Sequence, residues 1–315
     1  MLTKYLIVNA DDFGLSQSIN RAILEAFHAG TVSSTSLMCN MPGFQDAVIL
    51  AKETPTLGVG LHFNLTYGTP LSEKQQVSSL INHKGVFSKD RSKWTKEHII
   101  IELDAQFKKF IDSGLSPTHV DSHHHIHIDS ELVYRALKNL SIREQIPMRL
   151  HPLIAEDRKT FRSSDYLILD TYDTDDGIDR LIRHLEQLPD GITELMCHPG
   201  YVDDDVRDHS VWTDGREREV NVFTSTRIVD KLSELDIQLV NFGFIPKLET
   251  PANTNPLHKV ISQIKRKSKI KKKLLHRRKK RVLPKLHKAK VKKLQKKRIL
   301  RKKQRLKGSD YKKVS

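Results

Sequence analysis

Between Thr118 and His127 the chain reads Thr-His-Val-Asp-Ser-His-His-His-Ile-His, so five of ten residues are imidazoles and one, Asp121, is a carboxylate. The whole chain has 16 histidines in 315 residues, so this clustering is a design constraint. An apolar core cannot absorb so many polar rings without partners. Neutral imidazole beside a carboxylate is a ligand set for borderline divalent metals, and a catalytic one when a coordination position stays open. The plainer alternative is a histidine-rich surface loop or a tag-like run. An internal position, directly after the alternating Thr118-His119-Val120, argues against it.

The rest of the chain alternates short apolar runs with helical periodicity. Strands are expected at Tyr5–Val8, Val32–Met38, Leu57–Phe63, Thr118–Ser122, Pro147–His151, Glu194–Cys197 and Ile237–Phe242. Helices are expected after Ser16, which can cap one that stops at Gly30, and over Phe44–Lys52, Lys96–Ser113, Glu131–Leu140, Ile178–Leu188 and Thr224–Leu235. Tyr67–Lys93 and Arg158–Asp176 have no clear period and read as excursions. Strands alternating with helices imply parallel pairing through crossovers. Asp11/Asp12, His62, His123–His127 and His198 all fall at or just after the carboxyl end of an expected strand, the edge where such sheets assemble sites. The fold class is therefore α/β, and about seven such units fit a distorted (β/α) TIM-type barrel better than a flat open sheet, the alternative that alternation alone leaves standing. Gly58-Val59-Gly60 lacks the remainder of a dinucleotide fingerprint.

Charge divides the chain. The net charge is +16, yet residues 251–315 alone hold 28 Lys and Arg against one acid. An acidic body, 1–250, thus precedes a Lys/Arg-rich tail, 251–315. Self-repulsion leads one to expect a tail that is disordered or only fractionally helical, with Pro284 expected to interrupt any single helix. It suits non-specific, salt-dependent binding to nucleic acid or an anionic surface. Tyr311 is its one aromatic residue, so base stacking has little to work with. Two cysteines, Cys39 and Cys197, cannot build a disulfide framework. No apolar run reaches the length of a membrane span or of a signal-peptide core. A cytoplasmic protein is expected, with a homodimer left open.

Asp11 and Asp12 are adjacent carboxylates that repel unless a cation or a shared proton relieves them; a helix N-terminal acidic pair is the alternative. His62 ends an apolar strand as a ligand or as a hydrogen-bonded core residue, with Asn64 pointing the same way in an extended chain. Period two puts Asp121, His123 and His125 on one face, whereas helical geometry pairs His123 with His127. His119 and His124 face elsewhere, and at least one remaining ring orients a ligand or the substrate. His198 suits a general acid or a structural strand end. Phe63, Tyr201 and Trp212 are candidates for stacking on a ring-shaped ligand, or simply for packing.

Asn9-Ala-Asp-Asp-Phe-Gly-Leu-Ser16, Gly60-Leu-His-Phe-Asn-Leu-Thr66, Thr118–His127 and Glu194-Leu-Met-Cys-His-Pro-Gly200 resemble, in order and spacing, the YdjC-like carbohydrate deacetylases, including the chitooligosaccharide deacetylases. The resemblance covers roughly residues 1–247. It implies a distorted TIM-type barrel, a divalent metal, usually magnesium, and removal of acetyl groups from N-acetylated sugars. By motif position it implies His62 and His123 as ligands with Asp12 as the third. Asp11 as the base follows from a more distant likeness to polysaccharide deacetylases. Asn64, Asp121, His125, His127 and Tyr201 are expected to bind substrate or support the ligands. An Asp/His/His set would also suit zinc by ligand softness. The rival readings are another metallohydrolase, for instance a phosphoesterase, and a nucleic-acid-binding protein on a decayed enzyme body.

Overall fold

The computed structural model describes residues 3–153, 160–210 and 212–245. The basic segment from Pro251, expected to be disordered or helical, lies outside them.

The described elements run β1 (Lys4–Phe13), α1 (Gln17–His28), β2 (Ser34–Leu37), α2 (Phe44–Glu53), β3 (Gly58–Phe63), α3 (Lys96–Asp112), β4 (Val120–Ser122), α4 (Ile126–Asp129), α5 (Glu131–Glu144), β5 (Tyr166–Ile168), α6 (Gly177–Glu186), β6 (Gly191–Cys197), α7 (Asp204–His209), α8 (Asp214–Phe223), α9 (Thr226–Glu234) and β7 (Gln238–Leu239). Ser16 caps α1 as expected, its hydroxyl accepting from Ile19 N, and Gly30 follows the helix at φ 84°, the left-handed conformation that costs glycine least.

All strand pairs are parallel, in the order β4-β3-β2-β1-β6-β5, and β7 lies beside the start of β1. The sheet is strongly curled. In a flat sheet, four spacings of about 4.8 Å would put β4 and β6 roughly 19 Å apart. Yet one side chain, Arg149, touches Asp121 of β4 at 3.0 Å and Glu194 of β6 at 2.6 Å. Only closure toward a barrel allows this, and the architecture is a distorted (β/α) barrel.

Alternation sorts the residues of β1. Leu6, Val8 and Ala10 join the large core under the helices. Ile7 instead joins Ile192, Phe242 and Ile245 in a small apolar cluster, and Asn9 and Asp11 follow it two and four residues on. The His119 ring lies on Phe242, their centroids 3.9 Å apart. A Cβ at Gly60 would come within 2.4 Å of that ring, which is why the third strand carries a glycine there.

Two expectations differ from the structure. Pro147–His151 is not a strand: Met148 makes one parallel bridge to Val120, held by Val120 N→Pro147 O at 2.9 Å and Arg149 N→Val120 O at 3.0 Å. Pro147 has no N–H to extend the ladder, and Pro152 follows closely. Conversely, β5 lies inside the stretch 158–176, read as irregular, because three residues are too few to display a period.

Candidate active site

The carboxyl edge of the sheet gathers Asp11, Asp12, His62, Asp121, His123 and His198. Consecutive strand residues normally point to opposite faces, so adjacent aspartates sharing one site need a backbone device. The β1–β2 register slips between Ala10 and Phe13, and Asp12 adopts φ 72°. This bulge and left-handed turn bring Asp12 round to the side of Asp11. Such conformations are costly for a residue with a Cβ and concentrate at functional sites.

Asp12 Oδ1 lies 3.3 Å from His62 Nε2 and 2.8 Å from His123 Nδ1. The three ligand atoms fall within 4.8 Å of one another. Asp12 Oδ1 and His62 Nε2 are buried and have no hydrogen-bond partner. On its other side, His62 Nδ1 meets Asp121 Oδ1 at 2.7 Å and Ser36 Oγ at 2.9 Å. A carboxylate behind an imidazole fixes its tautomer and leaves Nε2 for a cation, the usual support of a metal-bound histidine. These residues could therefore hold a divalent ion: one carboxylate oxygen and two ring nitrogens converge in a buried site, and two of the three atoms, Asp12 Oδ1 and His62 Nε2, have no hydrogen-bond partner.

Electrostatics fit the same picture. Burial opposes ionisation of Asp12, but the His123 ring and the Arg216 guanidinium hold its pKa well below the usual carboxylate value. Burial also opposes protonation of His62, yet the Asp121 charge and the close carboxylates of Asp12 and Asp121, one beside each ring nitrogen, carry it up to about 10. Without a cation the ring thus takes a proton, which an incoming metal must displace.

Asp11 is clamped differently. Arg149 donates from Nη1 to Oδ2 at 2.7 Å and from Nη2 to Oδ1 at 2.6 Å, and Asn9 Nδ2 adds 2.8 Å to Oδ1. Burial raises its pKa, but the Arg149 charge, its hydrogen bonds and the His62 charge together hold the carboxyl below its ordinary value, and Asp11 stays ionised. His198 Nε2 stands 4.0 Å from Asp11 Oδ2, with its side chain 19 % exposed. Burial pushes His198 down to about 4, so its resting form is the neutral ring. Its main-chain N–H donates to Glu219 Oε2 at 2.5 Å, and Trp212 packs edge-on against the ring.

The histidine run follows neither simple period. His123 ends the sheet, then His124 and His125 take φ 52° and 50°, so strand and helical spacing are both broken. His123 turns to Asp12. His125 is half-buried and feels Arg149 and Asp11, and burial lowers it to about 4. His127 is buried, its Nδ1 2.5 Å from Ser122 Oγ. His119 sits below the site, as expected, whereas His124, although exposed, does not face elsewhere: its ring stacks on that of His123 with centroids 4.0 Å apart. Asn64 is turned to its own loop: Oδ1 accepts from Thr66 N and Tyr67 N, while Nδ2 donates to Asn40 Oδ1 and Tyr67 O. Tyr201 is tied away by its hydroxyl, which donates to Glu25 at 2.6 Å. Phe63 is core.

Sequence reasoning passed over Arg149, Arg216, Glu219 and Tyr67. Arg149 carried a signal, a charge between Met148 and Leu150 at an expected strand end. Arg216, in a run of alternating charges, carried none. Tyr67, in an unpatterned loop, packs against both His123 and His124, at 5.6 and 5.4 Å between centroids.

Fold and side chains together define an α/β barrel with a buried Asp/His/His centre and an Asp–His pair beside it. A family model described as YdjC-like protein matches residues 5–234. A carbohydrate deacetylase of Geobacillus stearothermophilus is 39% identical over 253 residues, covering 78% of this chain and 100% of the relative. One from Clostridium beijerinckii is 38% identical, covering 75% and 98%. A crystal structure from Enterococcus faecalis, of a candidate cellobiose-phosphate cleavage protein, superposes with TM-score 0.70 at 30% identity, over 76% of this chain and 98% of that one. The chain belongs to the YdjC-like family.

Proposed function

We propose that residues 1–250 form a carbohydrate deacetylase domain that hydrolyses the acetamide of N-acetylated sugars or short chitooligosaccharides with a divalent ion held by Asp12, His62 and His123. The convergence of those three ligand atoms beside the Asp11–His198 pair carries the reading, and the named deacetylases among its relatives support the substrate class. Magnesium is the ion favoured by family likeness, with zinc the alternative favoured by the two imidazoles.

When bound, the ion would supply the Lewis-acid charge that makes an acetamide open to attack by water. The protein's own groups handle the protons. Asp11, kept ionised by Arg149, is the base that accepts the proton of the attacking water. His198 begins neutral, so it must first collect a proton before passing one to the departing amine. Its 4.0 Å approach to Asp11 Oδ2 offers that route. Tyr67 and Trp212 flank the centre on its His123 and His198 sides and supply apolar walls suited to a sugar ring.

Acetate release from N-acetylglucosamine oligomers, with and without chelator, is the test. Phosphate release from sugar phosphates without acetate would favour the phosphoesterase alternative. The composition of residues 251–315 supports a separate role for the tail in polyanion binding. Two unpaired, buried cysteines are consistent with a cytoplasmic setting, and among the described residues no helix is long and apolar enough to cross a membrane.

A further inference from the structure

Helix α8 lies outside the four motifs, yet it sends Arg216 into the centre. Arg216 is 3 % exposed and its Nη2 donates to Asp12 Oδ2 at 2.6 Å. The guanidinium is itself held firmly: Nε donates to Trp212 O at 3.0 Å, and the Trp212 ring lies 5.3 Å from it. The helix is tied back to the loop after β6 by Gly200 N→Arg216 O at 3.2 Å. One turn later Glu219 accepts from the main-chain N–H of His198. A single helix thus grips both sides of the centre.

Resting on the metal-site reading above, we propose that Arg216 is a positioning residue for the cation-binding carboxylate. By occupying Asp12 Oδ2 it leaves Oδ1 alone facing His62 Nε2 and His123 Nδ1, and fixes Asp12 as a one-oxygen ligand. With Oδ1 facing the two imidazoles at 2.8 and 3.3 Å, the Arg216 contact is the hold on the other oxygen that sets the plane of the carboxylate. A guanidinium also competes electrostatically with a cation for the same carboxylate. Orientation outweighs competition here because the Oδ2 contact does not touch the oxygen offered to the ion. Supporting partners of this kind typically change metal affinity by roughly 10- to 100-fold. The fork of Arg216 cannot be reproduced by a point-charge ammonium.

The experiment is calorimetric titration of the full chain with Zn2+ and with Mg2+, on wild type, Arg216→Met, Arg216→Lys and Asp12→Asn, alongside thermal unfolding of each in chelator. The expected result is that Asp12→Asn abolishes binding and Arg216→Met weakens it roughly 10- to 100-fold. Arg216→Lys should fall between Arg216→Met and wild type, with affinity lost even where the chelated protein unfolds cooperatively. If Arg216→Met does not fold, Arg216→Lys decides. Affinity unchanged in the folded variant overturns the inference and leaves the metal site standing. No binding of either ion by wild type overturns both.

Discussion

Arg149 is the most consequential buried charge in the barrel, and replacing it with methionine keeps side-chain bulk while removing the guanidinium. Three carboxylates lose their partner, but they do not lose equally. Glu194, already raised to about 7 by burial, takes up a proton at little cost near neutrality. Asp121 keeps the His62 ring at 2.7 Å. Asp11 keeps only Asn9 and a distant His198. The cost therefore reduces to one uncompensated buried carboxylate, about 3–5 kcal/mol. Neutralising Asp11 instead, from an ordinary pKa near 3.9 to pH 7, costs about 4 kcal/mol at 1.36 kcal/mol per unit. The two routes agree. For a domain of this size the unfolding midpoint should drop by roughly 6–20 °C, read by calorimetry or circular dichroism in chelator.

The pH dependence separates this account from simple loss of packing. In wild type the folded pKa of Asp11 lies below its unfolded value, so its contribution is present above the unfolded pKa and lost on acidification. In Arg149→Met that pKa moves above the unfolded value, so the contribution of Asp11 reverses sign, its cost easing as pH falls and growing as pH rises. The gap to wild type should therefore narrow from pH 8 to pH 5, and Arg149→Met/Asp11→Asn should melt higher than Arg149→Met. A midpoint within about 2 °C of wild type at pH 8, well short of the shift expected for such a loss, would refute the reasoning, as would a gap that ignores pH.

Chelation of wild type and the variant His62→Ala should each remove acetate release, and metal analysis should find the ion absent from the purified variant; retained metal in His62→Ala would move the ligand set elsewhere. His198→Gln should lower kcat by roughly 10²- to 10⁴-fold, the range for general acid–base groups, with KM little changed; a KM effect alone would assign the ring to substrate binding. A chain ending at Thr250 should keep wild-type turnover while losing salt-sensitive retention on an immobilised polyanion, measured at several salt concentrations; turnover and retention lost together would tie the tail to catalysis.

What the sequence made legible was whatever repeats along the chain, and what it hid was whatever depends on closure in space. The Tyr5–Val8 run, the Ser16 cap, the Gly30 stop and the histidines at strand ends are local patterns, and β1 and α1 follow from them, whereas the choice of His123 over His125 and His127 came only from the family resemblance. The convergence of Asp11 with Asp12 is not local in that sense. Alternation would have set them on opposite faces, and only the register slip and the φ of Asp12 reverse it. Arg149 and Arg216 come from segments 138 and 204 residues away from the aspartates they hold, so no window of sequence contains both ends of either contact. The same closure explains why the interior tolerates so much charge. Asp11, Asp12, Asp121 and Glu194 are each matched by a guanidinium or an imidazole arriving from a distant segment of the chain. Buried ion pairs stabilise little on balance, but a wrong closure would leave several of these groups unpaired at once. The polar interior thereby favours one register of the barrel over its neighbours, and that register is the one in which Asp12, His62 and His123 meet.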